Sequence, residues 1–260
     1  MQYLQLLILA CIFVPLAGSI FIVLARTKKN IREAITLITA FILLICVLSI
    51  LPDVMSGQRP HQHLLSLLPG LDLSFKVEPL GMLFALIASG LWILNSIYSI
   101  GYMRGNKEVK QTRFFVCFAI ALSATMGIAF SANLFTLFVF YELLTLITYP
   151  LVTHKGTDTA RDGGRVYLGI LMGTSIVFLL PALVFIYYIS GTTDFTVGGI
   201  LSGKLSPWAM TGLLGLCVFG VGKAALMPFH RWLPAAMVAP TPVSALLHAV
   251  AVVKAGVFTI

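Results

Sequence analysis

The chain has 260 residues, of which 59% are apolar and only 10% are charged, and it carries a formal net charge of +8. Soluble domains carry about 25% charged residues, so this composition excludes a soluble globular domain and indicates an integral membrane protein. The positive charge does not indicate a nucleic-acid partner, because the basic residues are confined to particular loops.

The cysteines give no pattern for a metal or a redox centre. They lie far apart in apolar segments and show no CxxC spacing: Cys11, Cys46, Cys117 and Cys217. The sequence also contains no haem, flavin, iron–sulfur or nucleotide motif. We therefore expect no cofactor, no metal and no catalytic redox site in this chain, so that any redox chemistry belongs to partner subunits.

Eight apolar segments are long enough to cross a bilayer as helices, which takes about 20 residues each. They are residues 4–25, 34–51, 79–103, 114–130, 134–152, 166–189, 210–227 and 243–260. Helices satisfy their own backbone hydrogen bonds in lipid, and these segments are too long and too evenly apolar for barrel strands. The expected fold is an all-α, polytopic transmembrane bundle of about eight helices. No basic residue precedes the first segment, so we expect it to stay in the membrane rather than to be a cleaved signal peptide.

The basic residues divide unevenly between alternate loops. Three lie in one set of loops: Arg59, Lys76 and Lys204. Twelve lie in the other set: Arg26, Lys28, Lys29, Arg32, Arg104, Lys107, Lys110, Arg113, Lys155, Arg161, Arg165 and Arg231. Loops rich in Lys and Arg stay in the cytoplasm, so the larger set is predicted to be cytoplasmic and the N-terminus to face out. We expect the bundle in the cytoplasmic (inner) membrane of a bacterium or archaeon.

The loops and the chain end carry three further signals. The longest predicted outer loop, residues 52–76, contains an alternating DLSFKV segment that predicts a short β-hairpin. The link at residues 131–133 is very short, so the fourth and fifth helices should pack as an antiparallel pair. The sequence stops inside its last apolar segment, from which we expect a truncated chain or a second half that is a separate chain.

Glu142 is the only acidic residue inside the eight segments. Thr145 and Tyr149 follow it at i+3 and i+7, so the three side chains form one polar stripe on an apolar helix. An acid at membrane depth is costly and indicates function by default. The alternative is a structural hydrogen bond or ion pair that ties helices together.

Lys223 lies near the middle of the seventh segment, beside Gly220 and Gly222 and shortly before Pro228. A charged group at the bilayer centre costs roughly 2.5–3.5 kcal/mol even on the insertion scale, so we expect this lysine to serve a function. The glycines permit close helix approach, and the proline breaks the helix, which predicts a joint next to the lysine. A lysine that merely reaches to an interface is the alternative, and its central position argues against it.

The last segment adds His248 and Lys254. Thr241, Ser244 and His248 form a second polar stripe, whereas Lys254 lies about 240° further round an ideal helix and faces another direction. Histidine suits proton transfer because its ordinary pKa is about 6.5, although a lone histidine in a helix is often structural.

The remaining histidines carry weaker signals. His230 lies at the predicted cytoplasmic end of the proline joint, where it is either a gate for proton uptake or a helix cap. His61, His63 and His154 lie in loops, where surface positions are expected. The His-x-His spacing of the first two is a weak metal pattern.

Four of these groups, Glu142, Lys223, His248 and Lys254, lie on three predicted helices and together predict a proton relay. Each charge changes the proton affinity of its neighbours when the surrounding dielectric is low. A carboxylate beside Lys223 would hold the lysine's proton, and moving the carboxylate away would promote release, with only small motions at the joint.

The same residues carry a resemblance to a known family. The stretches GKAALMPFHRWLPAAMVAPTPVSALLHAVAVVKAGV and SANLFTLFVFYELLTLITYPLV resemble antiporter-like membrane subunits. These are the proton-pumping subunits of respiratory complex I, the large subunits of Mrp-type monovalent cation/proton antiporters, and relatives in membrane-bound hydrogenases. The FVFYELL segment most resembles the Mrp D-type branch. The resemblance covers most of residues 78–260.

The resemblance implies site roles and partners. Glu142 matches the family's essential glutamate, Lys223 its paired lysine, and His248 and Lys254 the central-axis positions of the eighth helix. The implied function is proton translocation coupled to monovalent cation (Na⁺) exchange or to a redox partner, as in NADH:quinone oxidoreductase-like or hydrogenase-like translocases. The implied partners are other membrane subunits of such an assembly, the lipid bilayer, protons and Na⁺, without nucleic acid.

The family is built from two inverted repeats. By resemblance, residues 1–112 hold helices one to three, residues 113–260 hold helices four to eight of the first repeat, and the second repeat is absent. Two alternatives stay open. One is a non-pumping structural subunit or fragment of a redox-driven complex, and the other is an unrelated secondary transporter with its own substrate site.

Overall fold

The computed structural model describes residues 2–245 and 251–260, and most of them are helical. The long helices are α1 (Gln2–Leu24), α2 (Lys29–Met55), α3 (Pro79–Gly105), α4 (Gln111–Ala129), α5 (Leu134–Val152), α6 (Asp158–Thr174) and α7 (Leu180–Ser190). A π-helical turn, Ser175–Leu179, joins α6 to α7 without a break. In the described part of the chain, α1 to α5 and the continuous α6–α7 stretch give six helices long and apolar enough to cross a membrane. The chain is a multi-pass membrane protein.

The predicted seventh and eighth helices are shorter or interrupted. The seventh was predicted over residues 210–227, but α8 (Pro207–Gly220) ends before the lysine. It ends because the backbone N–H of Lys223 donates to the Tyr141 hydroxyl, at 3.0 Å, instead of to a helical carbonyl. Short elements follow: 3₁₀ turns at Gly222–Ala224 and Phe229–Arg231, then α9 (Trp232–Ala236), α10 (Thr241–Val243) and α11 (Val252–Thr259). The last two lie within or beside the predicted eighth helix, whose residues 246–250 are outside the described part.

The hairpin predicted in the longest loop is present. Strand β1 (His61–Leu68) pairs antiparallel with β2 (Leu71–Lys76), with His61 opposite Lys76 and Leu68 opposite Leu71. The tight turn needs a left-handed residue, and Gly70 supplies it with φ +78°.

Alternate loops gather at the same end of the bundle. At the end that carries the hairpin, which we call the hairpin end, Lys76 N donates to Phe130 O at 2.7 Å and Leu134 N to Thr193 O at 2.9 Å. At the other end, the basic end, Arg113 donates to His154 O at 3.2 Å. These contacts group the loops into the two sets that their charges indicate. Which set faces the cytoplasm stays a prediction.

Helix α4 is the centre of the bundle. It packs against α1, α3 and α5, and nearly all of its residues from Cys117 onward are buried. Helices α1 and α2 expose many of their apolar side chains, as expected of helices that face lipid. The half of the bundle that holds Glu142, Lys223 and Lys254 is built from α5, the π-helical turn, the end of α8 and α11.

Candidate functional site

Lys223 lies on the 3₁₀ turn Gly222–Ala224, fully buried at 0% exposure. Its Nζ donates to the backbone carbonyl of Tyr141 at 2.7 Å and to the Thr145 hydroxyl at 2.5 Å. The same nitrogen lies 3.1 Å from the centre of the Tyr141 ring, whose face attracts a cation. Neutral acceptors and an aromatic ring therefore surround the charge.

Two aromatic side chains fix the turn that carries Lys223. The Tyr141 hydroxyl accepts the backbone N–H of Lys223, and the Trp232 indole N–H donates to Gly222 O at 2.8 Å. Trp232 packs edge-on against Tyr167, whose hydroxyl bonds the Thr148 hydroxyl at 2.5 Å. The backbone groups that leave the helix at this depth are thus satisfied by side chains, as a membrane interior requires.

Close backbone packing explains the glycines around the turn. A Cβ on Gly220 would come within 2.6 Å of the backbone nitrogen of Leu179, in the π-helical turn. A Cβ on Gly222 would strike the Thr174 hydroxyl, and one on Gly256 would strike the backbone of Ala224. The π-helical turn and α11 therefore press directly on the two sides of the lysine-bearing turn.

The π-helical turn has a local cause. Pro181 lacks an N–H, so the preceding turn cannot complete its helical hydrogen bonds. The hydroxyls of Thr174 and Ser175 donate back to carbonyls one turn earlier, each at 2.9 Å. The turn places Ser175 toward Glu142 of the neighbouring helix.

Glu142 lies close to Lys223 without a direct ion pair. Both carboxylate oxygens are buried and have no hydrogen-bond partner in the described part of the chain. The carboxylate interacts electrostatically with Lys223, and more weakly with the Ser175 hydroxyl. The two charges are not within 4 Å of each other, and because their attraction varies inversely with separation, a change in the distance between them strengthens or weakens it.

The other predicted site residues lie apart from this pair. His230 is exposed on the turn Phe229–Arg231. Lys254 is exposed on α11 and lines a groove of about 340 Å³ with apolar side chains of α3, among them Leu83 and Ile87. His248 lies outside the described residues. The structure therefore brings together Glu142 and Lys223, and it leaves Lys254 in a separate apolar groove.

The prediction of a surface position for His154 is wrong. The side chain is buried, because Arg113 holds the loop after α5 against α4 and Phe114 packs edge-on against the ring at 5.8 Å. Glu108 lies 3.9 Å from Nε2. Burial, with a smaller effect of the nearby Arg113 charge, lowers the pKa of His154 to about 4.

Three aromatic residues of the site were not expected from the sequence. Tyr141 precedes Glu142, which puts it on another side of α5, and Tyr167 and Trp232 read as ordinary apolar core residues. One weak signal existed: Thr145 and Thr148 extend the polar face of α5 toward Tyr167.

Comparison with known sequences identifies the family. Residues 131–260, half of the chain, match the family described as "NADH:quinone oxidoreductase/Mrp antiporter, TM". Residues 69–115 match "NADH-Ubiquinone oxidoreductase (complex I), chain 5 N-terminus". The chain belongs to the family of antiporter-like membrane subunits found in Mrp antiporters and complex I.

Curated relatives include both antiporter and oxidoreductase subunits. A probable K⁺/H⁺ antiporter protein of Rhizobium meliloti, of the A/B type, is 33% identical over 99% of this chain and 26% of its own length. The A-type protein of the Na⁺/H⁺ antiporter of Alkalihalophilus pseudofirmus is 31% identical, over 76% of this chain and 25% of its own length. The NAD(P)H-quinone oxidoreductase chain 5 of Synechocystis is 31% identical, over 73% of this chain and 29% of its own length. The chain spans about a quarter of the length of these relatives.

Two solved complexes contain the same fold. A chain of the archaeal membrane-bound sulfane sulfur reductase superposes with a TM-score of 0.84 at 23% identity, over 96% of this chain and 51% of that chain. A chain of the Mrp complex from Dietzia superposes with a TM-score of 0.81 at 24% identity, over 99% of this chain and 27% of that chain. The antiporter relatives named above are of the A or A/B type, whereas the FVFYELL resemblance favoured the D-type branch.

Proposed function

We propose that this chain is a proton-translocating subunit of a multi-subunit membrane complex, with Glu142, Lys223, His248 and Lys254 as the relay. The observation that carries the proposal is the buried lysine with a nearby carboxylate that does not pair with it directly. A purely structural charge at this depth is expected to be closely paired.

The geometry supports an electrostatic switch. The ammonium group of Lys223 donates hydrogen bonds to neutral acceptors, and Glu142 supplies the nearby opposite charge. Movement of Glu142 toward or away from the lysine changes how firmly the lysine holds its proton, because the Coulomb energy between buried charges is large at low dielectric and varies with their separation. The Glu142 carboxylate is the group that would move, since its oxygens make no hydrogen bond among the described residues, whereas Tyr141 and Trp232 fix the turn that carries Lys223.

The proposed route continues from the turn into α11. Gly256 packs on the backbone of Lys223 and Ala224, which places the helix of Lys254 directly beside the turn. His248 would connect the two lysines, and His230 would admit protons from the basic end. Lys254 in its apolar groove would then pass protons to the second half of the path, which other residues or subunits supply.

The proposed setting follows the charge pattern and the relatives. The basic end faces the cytoplasm and the hairpin end faces out, in the cytoplasmic membrane of a bacterium or archaeon. The partners are other membrane subunits of an Mrp-like, complex I-like or hydrogenase-like assembly. Relatives named for K⁺/H⁺ and Na⁺/H⁺ antiport favour coupling to a monovalent cation, and relatives named as quinone oxidoreductase subunits favour a redox partner.

The test measures proton movement in vesicles that contain the native complex with Lys223→Met or Glu142→Gln. Loss of the site charge should reduce cation-driven or redox-driven pH change to the background level, because removing a relay group interrupts every turnover. Lys29→Met, which removes an exposed lysine at the basic end, is the matched control and should retain proton movement. Assembly of each variant is checked by gel filtration. Undiminished pumping by an assembled Lys223→Met complex would show instead that the chain has a non-pumping, structural role.

A further inference from the structure

A cavity of about 470 Å³ lies at the hairpin end, away from the proposed proton path. Its walls are the ends of three helices, with Leu134 on α5, Ile186 on α7 and Met210 on α8. Residues 193–202 of the loop between α7 and α8 close the remaining sides. The wall residues are mostly apolar, and several of them belong to a small hydrophobic cluster separate from the main core.

The loop brings one unused charge to this apolar cavity. The Asp194 carboxylate makes no hydrogen bond or ion pair in the described part of the chain; the backbone N–H of Asp194 is bonded to the Thr192 hydroxyl at 3.2 Å. Next to it in the wall, the Thr193 hydroxyl is buried without a partner among the described residues. The loop, residues 191–206, contains one other charge, the exposed Lys204. The cavity therefore combines apolar walls with one acidic group, and the loop that closes it carries one basic group two residues beyond the last loop residue of the wall, Ser202.

The depth of the cavity matches the boundary between lipid headgroups and acyl chains. Tyr188 near the end of α7 and Trp208 near the start of α8 are 86% and 87% exposed. Exposed Tyr and Trp at the ends of membrane helices lie at the level of the headgroups. Ile186 and Met210 lie about one turn deeper than the helix ends, so the floor of the cavity faces the upper acyl region.

We propose that this cavity binds a phospholipid with a primary ammonium headgroup, the phosphatidylethanolamine class. The ammonium pairs with Asp194, the upper part of an acyl chain fills the space between Leu134, Ile186 and Met210, and Lys204 lies on the same loop to meet the phosphate. A zwitterionic headgroup complements a loop with one charge of each sign. A trimethylammonium headgroup offers no N–H donor, and an anionic headgroup without an amine leaves Asp194 unpaired.

The test is lipid binding to the purified, delipidated native complex, measured by native mass spectrometry. Three lipids with identical acyl chains are compared: phosphatidylethanolamine, phosphatidylcholine and phosphatidylglycerol. We expect phosphatidylethanolamine to bind about fivefold more tightly than the other two at this site, as a partly exposed ion pair allows. Asp194→Asn should remove that preference, and Met210→Trp should block binding by filling the cavity.

Two controls separate the alternatives. Asp162→Asn removes an exposed aspartate at the basic end and should keep the full preference. Lipid sites on other subunits are the same in every variant, so they cancel in the difference between wild type and Asp194→Asn. Soluble ethanolamine should not compete at the concentration of the lipid, because it lacks the apolar part. Equal binding of the three lipids, an unchanged preference in Asp194→Asn, or full competition by ethanolamine would each overturn the proposal. Binding is measured without transport, so the result is independent of the proposed proton relay.

Discussion

Two groups of buried charges in this molecule are built in opposite ways. At the basic end, the Glu33 carboxylate is held by Arg104 through both oxygens and by Arg32 at 3.4 Å. Arg32 also donates to Gln111 at 2.8 Å and to Thr112 at 3.2 Å. In the other group, Lys223 has only neutral acceptors, and the oxygens of Glu142 have no hydrogen bond in the described chain.

In the proposed relay, this difference separates a structural role for Glu33 and Arg104 from a functional one for Glu142 and Lys223. Glu33 and Arg104 tie α2 to α3 in a fixed arrangement, and separating them would leave buried charge uncompensated. Glu142 and Lys223 give up part of their mutual attraction by remaining apart, and movement of the carboxylate would break no hydrogen bond among the described residues. Breaking a closely paired buried charge destabilises the fold, whereas the proposed relay requires a loosely paired charge.

The largest expected effect on stability is at the structural group. Glu33→Gln should lower the free energy of unfolding by about 3 kcal/mol, because it leaves Arg32 buried without its carboxylate; the value lies at the low end for buried pairs, since Arg104 is half exposed. Denaturant unfolding of the complex in detergent measures the change. The matched change Glu142→Gln should cost much less, and equal losses would erase the distinction between the two groups.

A third buried group, His154, predicts a loss of stability in acid. Its pKa is about 4 in the fold against about 6.5 when unfolded, so between these values the unfolded chain binds a proton that the folded chain does not. Folding stability should therefore fall as pH drops from about 6.5 to 4, by about 3 kcal/mol from this residue.

The measurement compares the free energy of unfolding of wild type and His154→Leu over this pH range. The variant is needed because carboxylates titrate in the same range and change the stability of both proteins. The wild-type curve should be the steeper one. His61→Leu, which removes an exposed histidine of the hairpin, controls for the loss of any histidine. Parallel curves for wild type and His154→Leu would contradict the buried, neutral imidazole.

The smallest expected effect is on stability at Lys223 itself. Lys223→Met removes a buried charge without a close ion partner, and the Thr145 hydroxyl keeps its bond to Tyr141 O at 3.1 Å. We expect the free energy of unfolding to change by less than about 1 kcal/mol or to increase slightly. The same denaturant assay applies. A loss as large as that of Glu33→Gln would assign Lys223 to the structural group.

Most of the membrane architecture could be predicted from the sequence because hydropathy and length are local properties. Six of the predicted segments correspond to helices long enough to span a bilayer, and the hairpin after α2 is where alternation predicts it. The end of α8 could not be predicted, because a hydroxyl from α5 takes the N–H that a helix would use. The proline at position 228 indicated a break but not its place.

What the sequence determined by itself is the presence of Glu142 and Lys223 at membrane depth, since charges inside apolar segments are visible without any structure. What only the tertiary structure decided is how they are held. The acceptors of Lys223 come from a helix about 80 positions earlier in the chain, and the turn is fixed by Trp232 and pressed by Gly256. Such partners depend on packing between distant segments, so no spacing along the chain indicates them.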